Sequence, residues 1–158
     1  MSRSHTFMDR EFRGSNYDPD DEGEFEPNLV FVGMAFREEM SEIYKTIQSA
    51  CLSLSLNATR VDDSYAGSGF IIREITELIE RAEFLIFDLS FERPNVYYEL
   101  GYAHGVGNEA DEILLIASEG TKVHFDSAPL RVLFYNSMGQ LHDIVHKALR
   151  EMIRRTRR

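Results

Sequence analysis

Short apolar runs alternate along this chain with longer segments of helical period. Leu29–Val32 (LVFV), Asn57–Val61, Phe84–Leu89 (FLIFDL), Ile113–Ala117 (ILLIA) and Val132–Tyr135 are compact runs rich in β-formers. Runs of this length, bounded by turn residues, predict buried strands. Between them, Glu38–Leu54 places Met40, Ile43, Ile47, Ala50 and Leu54 on one stripe, and Phe70–Ala82 does the same with Ile71, Ile75, Leu78 and Ile79. That spacing predicts amphipathic helices. A third helix is predicted from near Val96 and a last one over Gln140–Arg154. Strands alternating with helices predict a parallel sheet covered on both faces. Five strands suggest the flavodoxin-like order 2-1-3-4-5, a Rossmann-like three-layer α/β sandwich.

The pattern fails before residue 28. Residues 1–27, including GSNYDPDDEGEFEP, are acidic and polar with no steady apolar period. Such a segment buries too little to offset its ordering entropy, so it is expected to be a disordered tail ahead of one domain, 28–158. The whole chain has 158 residues, which suits one domain, and 43% of them are hydrophobic, enough for a core. No apolar run reaches the roughly 18 residues of a membrane span, and the polar N-terminus lacks a secretory stretch. With one cysteine, Cys51, no internal disulfide is available. Together these features predict a cytoplasmic protein. The formal net charge of −10 argues against a nucleic-acid polymer as partner. A mononucleotide stays possible, because backbone N–H groups and a helix N-terminus can hold one phosphate. The basic RRTRR end reads as a solvated tail.

In sheets of this kind ligands sit beyond the carboxyl ends of the strands, near the switch in strand order. Four loops qualify: Gly33-Met34-Ala35-Phe36-Arg37, Asp62 to Gly69, Asp88 to Asn95, and the one after Ala117. In the third, DLSFERPNVYYELGYAHG, a strand ends at Asp88 and Asn95 is expected to cap the next helix. Glu99 then falls in or just past the first turn, where the helix dipole favours the ionised carboxylate by about 0.3–1 kcal/mol. A carboxylate in that crevice can attack, or stabilise, an electron-poor sugar carbon; equally, it can merely support the helix. Asp88 reads as a second acid or as a loop anchor. Gly101 is expected to let the helix pack closely on the sheet.

Of Tyr97, Tyr98 and Tyr102, at least two are expected in the core, with Tyr98 the candidate to stack on a base. The Gly33 loop can cradle phosphate, though it is neither a Walker motif nor GxGxxG, and Arg37 can add a charge-assisted bond. Asp62, Gly67, Ser68 and Gly69 form a second flexible candidate. His142 and His146 share a helix at i, i+4 spacing, but no third ligand is placed to complete a metal site. No cofactor is implied.

The set VFVGMAF, the EI at Glu74, FLIFDLSFERPNVYYELGYAHG, ILLIA and HFD resembles the nucleoside 2-deoxyribosyltransferase-like superfamily. Its bacterial nucleotide-binding or TIR-like members carry a similar Asn-Val-x-Tyr-Glu-Leu-Gly segment. The resemblance covers roughly residues 29–136. It implies that Glu99 is the nucleophile that attacks the anomeric carbon, and that phosphate lies near Gly33 to Arg37. It also implies an acid on the second helix that assists the leaving base. That place is Ile75 here, with Glu74 one residue earlier and Asp88 as a substitute at the strand end. Three activities are thereby implied: glycosyl transfer, nucleotide N-glycosidase action and NAD hydrolysis. The alternative is a nucleotide-sensing module without turnover, in bacterial signalling or defence. Because related transferases complete their sites with a neighbouring subunit, a homodimer or larger homo-oligomer is expected.

Overall fold

The computed structural model describes residues 25–61, 68–124 and 130–157. Five parallel strands, β1 (Glu26–Gly33), β2 (Asn57–Thr59), β3 (Ala82–Asp88), β4 (Ile113–Ser118) and β5 (Val132–Tyr135), form one sheet in the order β2-β1-β3-β4-β5. Helices α1 (Met40–Leu52), α2 (Ser68–Arg81), α3 (Pro94–Gly105) and α4 (Met138–Thr156) complete the doubly wound α/β arrangement expected from the sequence. Among the described residues no helix is long and apolar enough to cross a membrane. The expected N-terminal tail lies, up to residue 24, outside the described residues.

The two faces of the sheet follow from the two-residue period of a strand. Val30, Val32, Phe84, Ile86 and Ile116 point to one side, where they pack against Met40, Ile47, Ala50 and Cys51 of α1 and Leu141, Val145 and Leu149 of α4. Leu29, Phe31, Leu85, Phe87, Leu115 and Ala117 point to the other, against Ile79 of α2 and Val96, Leu100 and Ala103 of α3. β3 is buried at every position, as a central strand covered by helices on both sides must be. α1 and α3 therefore leave the neighbouring strands β1 and β3 toward opposite faces. Their diverging starts lie at the carboxyl edge, where folds of this kind take their ligands.

Several boundaries move. β1 begins at Glu26, two residues before Asn28, because Glu26 already pairs with Ala82. A register irregularity follows, and Asn28 sits within it in the left-handed region at φ 69°. α2 begins at Ser68 rather than Phe70, so Ser68 and Gly69 belong to its first turn. Gly101 faces solvent, and a Cβ there would meet nothing within 4 Å, so it is not the packing contact expected.

The basic C-terminal end is also not simply solvated. Arg155 pairs with Asp111 at 3.1 Å, and Arg157 folds onto the amino edge of the sheet. There its Nε and Nη2 donate to the two oxygens of Glu83 at 2.7 and 2.8 Å, while the Asn28 backbone N–H donates to Glu83 Oε2 at 2.7 Å. Burial alone would raise the Glu83 pKa. The Arg157 guanidinium and the Asn28 amide outweigh it and hold the carboxyl below its ordinary value.

Candidate functional site

Glu99 is the sixth residue of α3, on the helix face that also buries Val96, Leu100 and Ala103. Its carboxylate lies against Gly33, the last residue of β1, which is paired in register with Phe87. The approach is so close that a Cβ at position 33 would stand 2.6 Å from Phe87 Cδ1 and 2.8 Å from Glu99 Oε2. Only glycine lets strand and carboxylate meet this way.

Glu99 is 8% exposed, and no hydrogen bond or ion pair to its side chain occurs among the described residues. Burial therefore acts unopposed and pushes its pKa up to about 7. This reverses the sequence expectation that the helix dipole would favour the charge. Glu99 lies beyond the first turn, where the dipole's influence has faded, and desolvation is much the larger effect. A carboxyl poised near neutrality is suited to act as a nucleophile or to exchange a proton.

Asp88, expected beside Glu99, points the other way. Phe87 and Asp88 are consecutive strand residues, so Phe87 faces the α3 side and Asp88 the α4 side. Asp88 is fully buried. Its Oδ1 accepts from the Ser90 backbone N–H at 2.8 Å and its Oδ2 from the Tyr135 hydroxyl at 2.7 Å. Burial raises its pKa, against the hydrogen bonds from Ser90 and Tyr135. Ser90 Oγ also accepts from the Ser118 backbone N–H at 2.8 Å. This network joins the carboxyl ends of β3, β4 and β5 and fixes where the β3–α3 loop begins. Sequence reasoning missed Tyr135 and Ser118. The available signal was the polar tip of a tyrosine closing an apolar strand.

The other candidates scatter. Glu74 is exposed on α2, and nothing among the described residues links it to Glu99. Met34 and Ala35 are core residues, able to meet a ligand only through their backbone, whereas Phe36 and Arg37 are exposed. Asn95 is not the cap of α3. Pro94 takes the first helical position, with Arg93 before it and no side-chain cap bond, because proline's missing N–H costs nothing there. Tyr98 is 63% exposed, while Tyr97 and Tyr102 pack against the core as expected. Asp62 and Gly67 lie outside the described residues, and the Ser68 side chain and the surroundings of Gly69 are likewise not described. Among the described residues no cluster of His, Cys, Asp and Glu could hold a metal. Cys51 is buried, and desolvation pushes its thiol up to about 12, which makes it a poor nucleophile.

At the rim, Arg37 Nη2 is 3.2 Å from Glu39 Oε1, and the guanidinium carbon stands 4.3 Å from the centroid of the Phe91 ring. His124, after β4, has Nε2 at 2.7 Å from Glu92 Oε1 and donates its backbone N–H to the Tyr97 hydroxyl at 3.2 Å. The sequence pattern gave no sign of either arrangement.

No protein-family model matches the chain, and no curated protein is similar to it in sequence. Solved structures share the fold. A CMP N-glycosidase, BcmB, from Clostridium botulinum superposes with a TM-score of 0.56 at 15% identity, over 74% of this chain and 96% of that one. The flavo di-iron protein of Thermotoga maritima superposes with a TM-score of 0.59 at 16% identity, over 83% of this chain but 38% of the neighbour. A flavoprotein from the same organism gives 0.57 at 16% identity, over 83% and 38%. At these identities the likeness establishes the α/β architecture that the sequence pattern predicts, an architecture found in an N-glycosidase.

Proposed function

We propose that this protein binds a nucleoside or nucleotide and breaks its N-glycosidic bond with Glu99. One observation carries the reading: a buried carboxyl without a partner among the described residues, set against Gly33 at the carboxyl edge of the sheet, with its pKa near 7. An unpaired buried carboxylate is costly to stability, and such perturbed groups concentrate at functional sites. The fold shared with an N-glycosidase over nearly all of that enzyme's chain supports the same chemistry, as does the resemblance of the Glu99 segment to the deoxyribosyltransferase-like superfamily.

In this mechanism ionised Glu99 attacks the anomeric carbon. The carbon–nitrogen bond breaks, its electron pair leaves with the base, and the base takes up a proton from solvent water. Water or an acceptor base then resolves the glycosyl–enzyme ester. Backbone groups of the Gly33–Arg37 loop hold phosphate or ribose hydroxyls. Asp88 positions the β3–α3 loop rather than donating the proton.

The arrangement of acids favours a second reading, in which the site binds a nucleotide without turnover. With Asp88 on the other face and Glu74 exposed, the described residues supply no acid beside Glu99 to protonate a leaving base. Incubation with deoxynucleosides, nucleoside monophosphates and NAD, with released base followed by chromatography, separates the two. Cleavage predicts base release that falls as pH drops below about 7, as Glu99 protonates. It also predicts a loss of about 10³-fold or more in Glu99→Gln. Nucleotide binding in a calorimeter without base release from the parent protein would establish the second reading. Binding of neither nucleosides nor nucleotides would refute both.

A further inference from the structure

The two loops that flank Glu99 touch each other through a stacked pair. Arg37 belongs to the β1–α1 segment that begins at Gly33, and Phe91 to the β3–α3 segment that leads into the helix bearing Glu99. The guanidinium carbon of Arg37 stands 4.3 Å from the Phe91 ring centroid, so one face of that ring already takes a planar, delocalised group. Glu39 holds the guanidinium from elsewhere on its edge, at 3.2 Å from Nη2 and 3.4 Å from Nε.

Phe91 is a poor choice for this position on structural grounds. Its backbone is left-handed (φ 66°, ψ 8°), and Glu92 follows at φ 49°. Side chains bearing a Cβ rarely adopt this region, and bulky ones are outliers there. Nor does the ring repay the strain by packing: it is 44% exposed and belongs to neither core cluster. A strained, exposed aromatic on the loop that leads into the helix carrying Glu99 is an arrangement typical of ligand contact.

We propose that Phe91 is the platform on which the planar base of the substrate stacks, the base taking the ring face that Arg37 covers in the structure. The proposal rests on Glu99 as the group that meets the sugar, because the base is bonded directly to the carbon attacked. It makes Phe91 a specificity residue that favours aromatic leaving groups without reading their edges, since every base has a π-face.

The test uses Phe91→Gly, Phe91→Ala and Phe91→Tyr in the Glu99→Gln background, where binding is measured without turnover. The probes are CMP, AMP and ribose 5-phosphate, which has the sugar and phosphate but no base. Stacking predicts that Phe91→Gly and Phe91→Ala bind CMP and AMP about tenfold more weakly. Ribose 5-phosphate binding stays unchanged, and Phe91→Tyr behaves as the parent. Phe91→Gly also melts at or above the parent temperature, because glycine relieves the left-handed strain. Equal nucleotide affinity in Phe91→Gly overturns the platform and leaves the Glu99 reading standing. A lower melting temperature for Phe91→Gly than for Phe91→Ala overturns it by showing that position 91 has no strain to relieve. Failure of deoxynucleosides, nucleoside monophosphates and NAD alike to bind even with Phe91 intact overturns it together with the Glu99 reading.

Discussion

The two edges of the sheet each bury a glutamate, and they treat it in opposite ways. At the amino edge Glu83 has a guanidinium across both oxygens and a backbone N–H on one of them, and its pKa is held down. At the carboxyl edge Glu99 is as little exposed, has no partner among the described residues, and its pKa rises to about 7. Exposure is thus nearly the same for the two, but Glu99 lies deeper among protein atoms, and only Glu83 is compensated. Evolution commonly tolerates an uncompensated carboxyl only where the charge has work to do. Asp88 lies between these extremes: it is fully buried with neutral donors on both oxygens, and its pKa is raised despite them.

The comparison breaks most visibly if Glu99 is neutralised. A group whose folded pKa lies above its unfolded value binds more protons in the native state, so stability falls as pH rises from about 4.5 to about 7. Glu99→Gln removes that penalty. We expect it to stabilise the protein by up to about 3 kcal/mol at pH 8 and by little at pH 4, as measured by urea unfolding at both pH values. A destabilised Glu99→Gln at pH 8 would show that the carboxylate is compensated after all.

Arg157→Ala should do the reverse. It strips Glu83 of its counter-charge and should cost about 2 kcal/mol at pH 7, less than a fully buried pair because Arg157 is 41% exposed. Glu83 has a lowered pKa, so its contribution is present above its ordinary pKa and is lost as pH falls through the folded value. The parent and the variant should therefore converge in acid.

Tyr135→Phe sharpens the middle case at about 1 kcal/mol. Removing the hydroxyl that favours ionised Asp88 should raise that pKa further and make the loss larger at pH 8 than at pH 4. An equal loss at both would mean that the hydroxyl serves packing rather than the charge.

Much of this was legible in the chain, for identifiable reasons. FLIFDL reads as the clearest strand, and parallel strands joined by helices leave few topologies, among which five strands suggested the order found. Glu99 stood out because the strand–loop–helix pattern puts it at the carboxyl edge. What stayed hidden depended on side-chain direction or on backbone geometry without a sequence marker. Asp88 and Phe87 differ by one residue and therefore by a whole face of the sheet, so nearness in sequence misled. Asn95 looked like a cap, but Pro94 made the better first helical residue. Nothing in Ser-Phe-Glu announces two left-handed residues, because the glycine or asparagine that usually signals them is absent. Arg157 reads as part of a charged end, since its partner Glu83 lies far away in the sequence.

The glycine at position 33 has a consequence for how the molecule would wear out. With no side chain between strand and acid, the reach of the Glu99 oxygens into the crevice is set by how far apart the β1 backbone and α3 stand. Warming or drift that loosens this separation by a fraction of an ångström shifts those oxygens long before the sheet comes apart. If Glu99 acts as proposed, base release should therefore be the first property to fade on heating, ahead of any change in helix content.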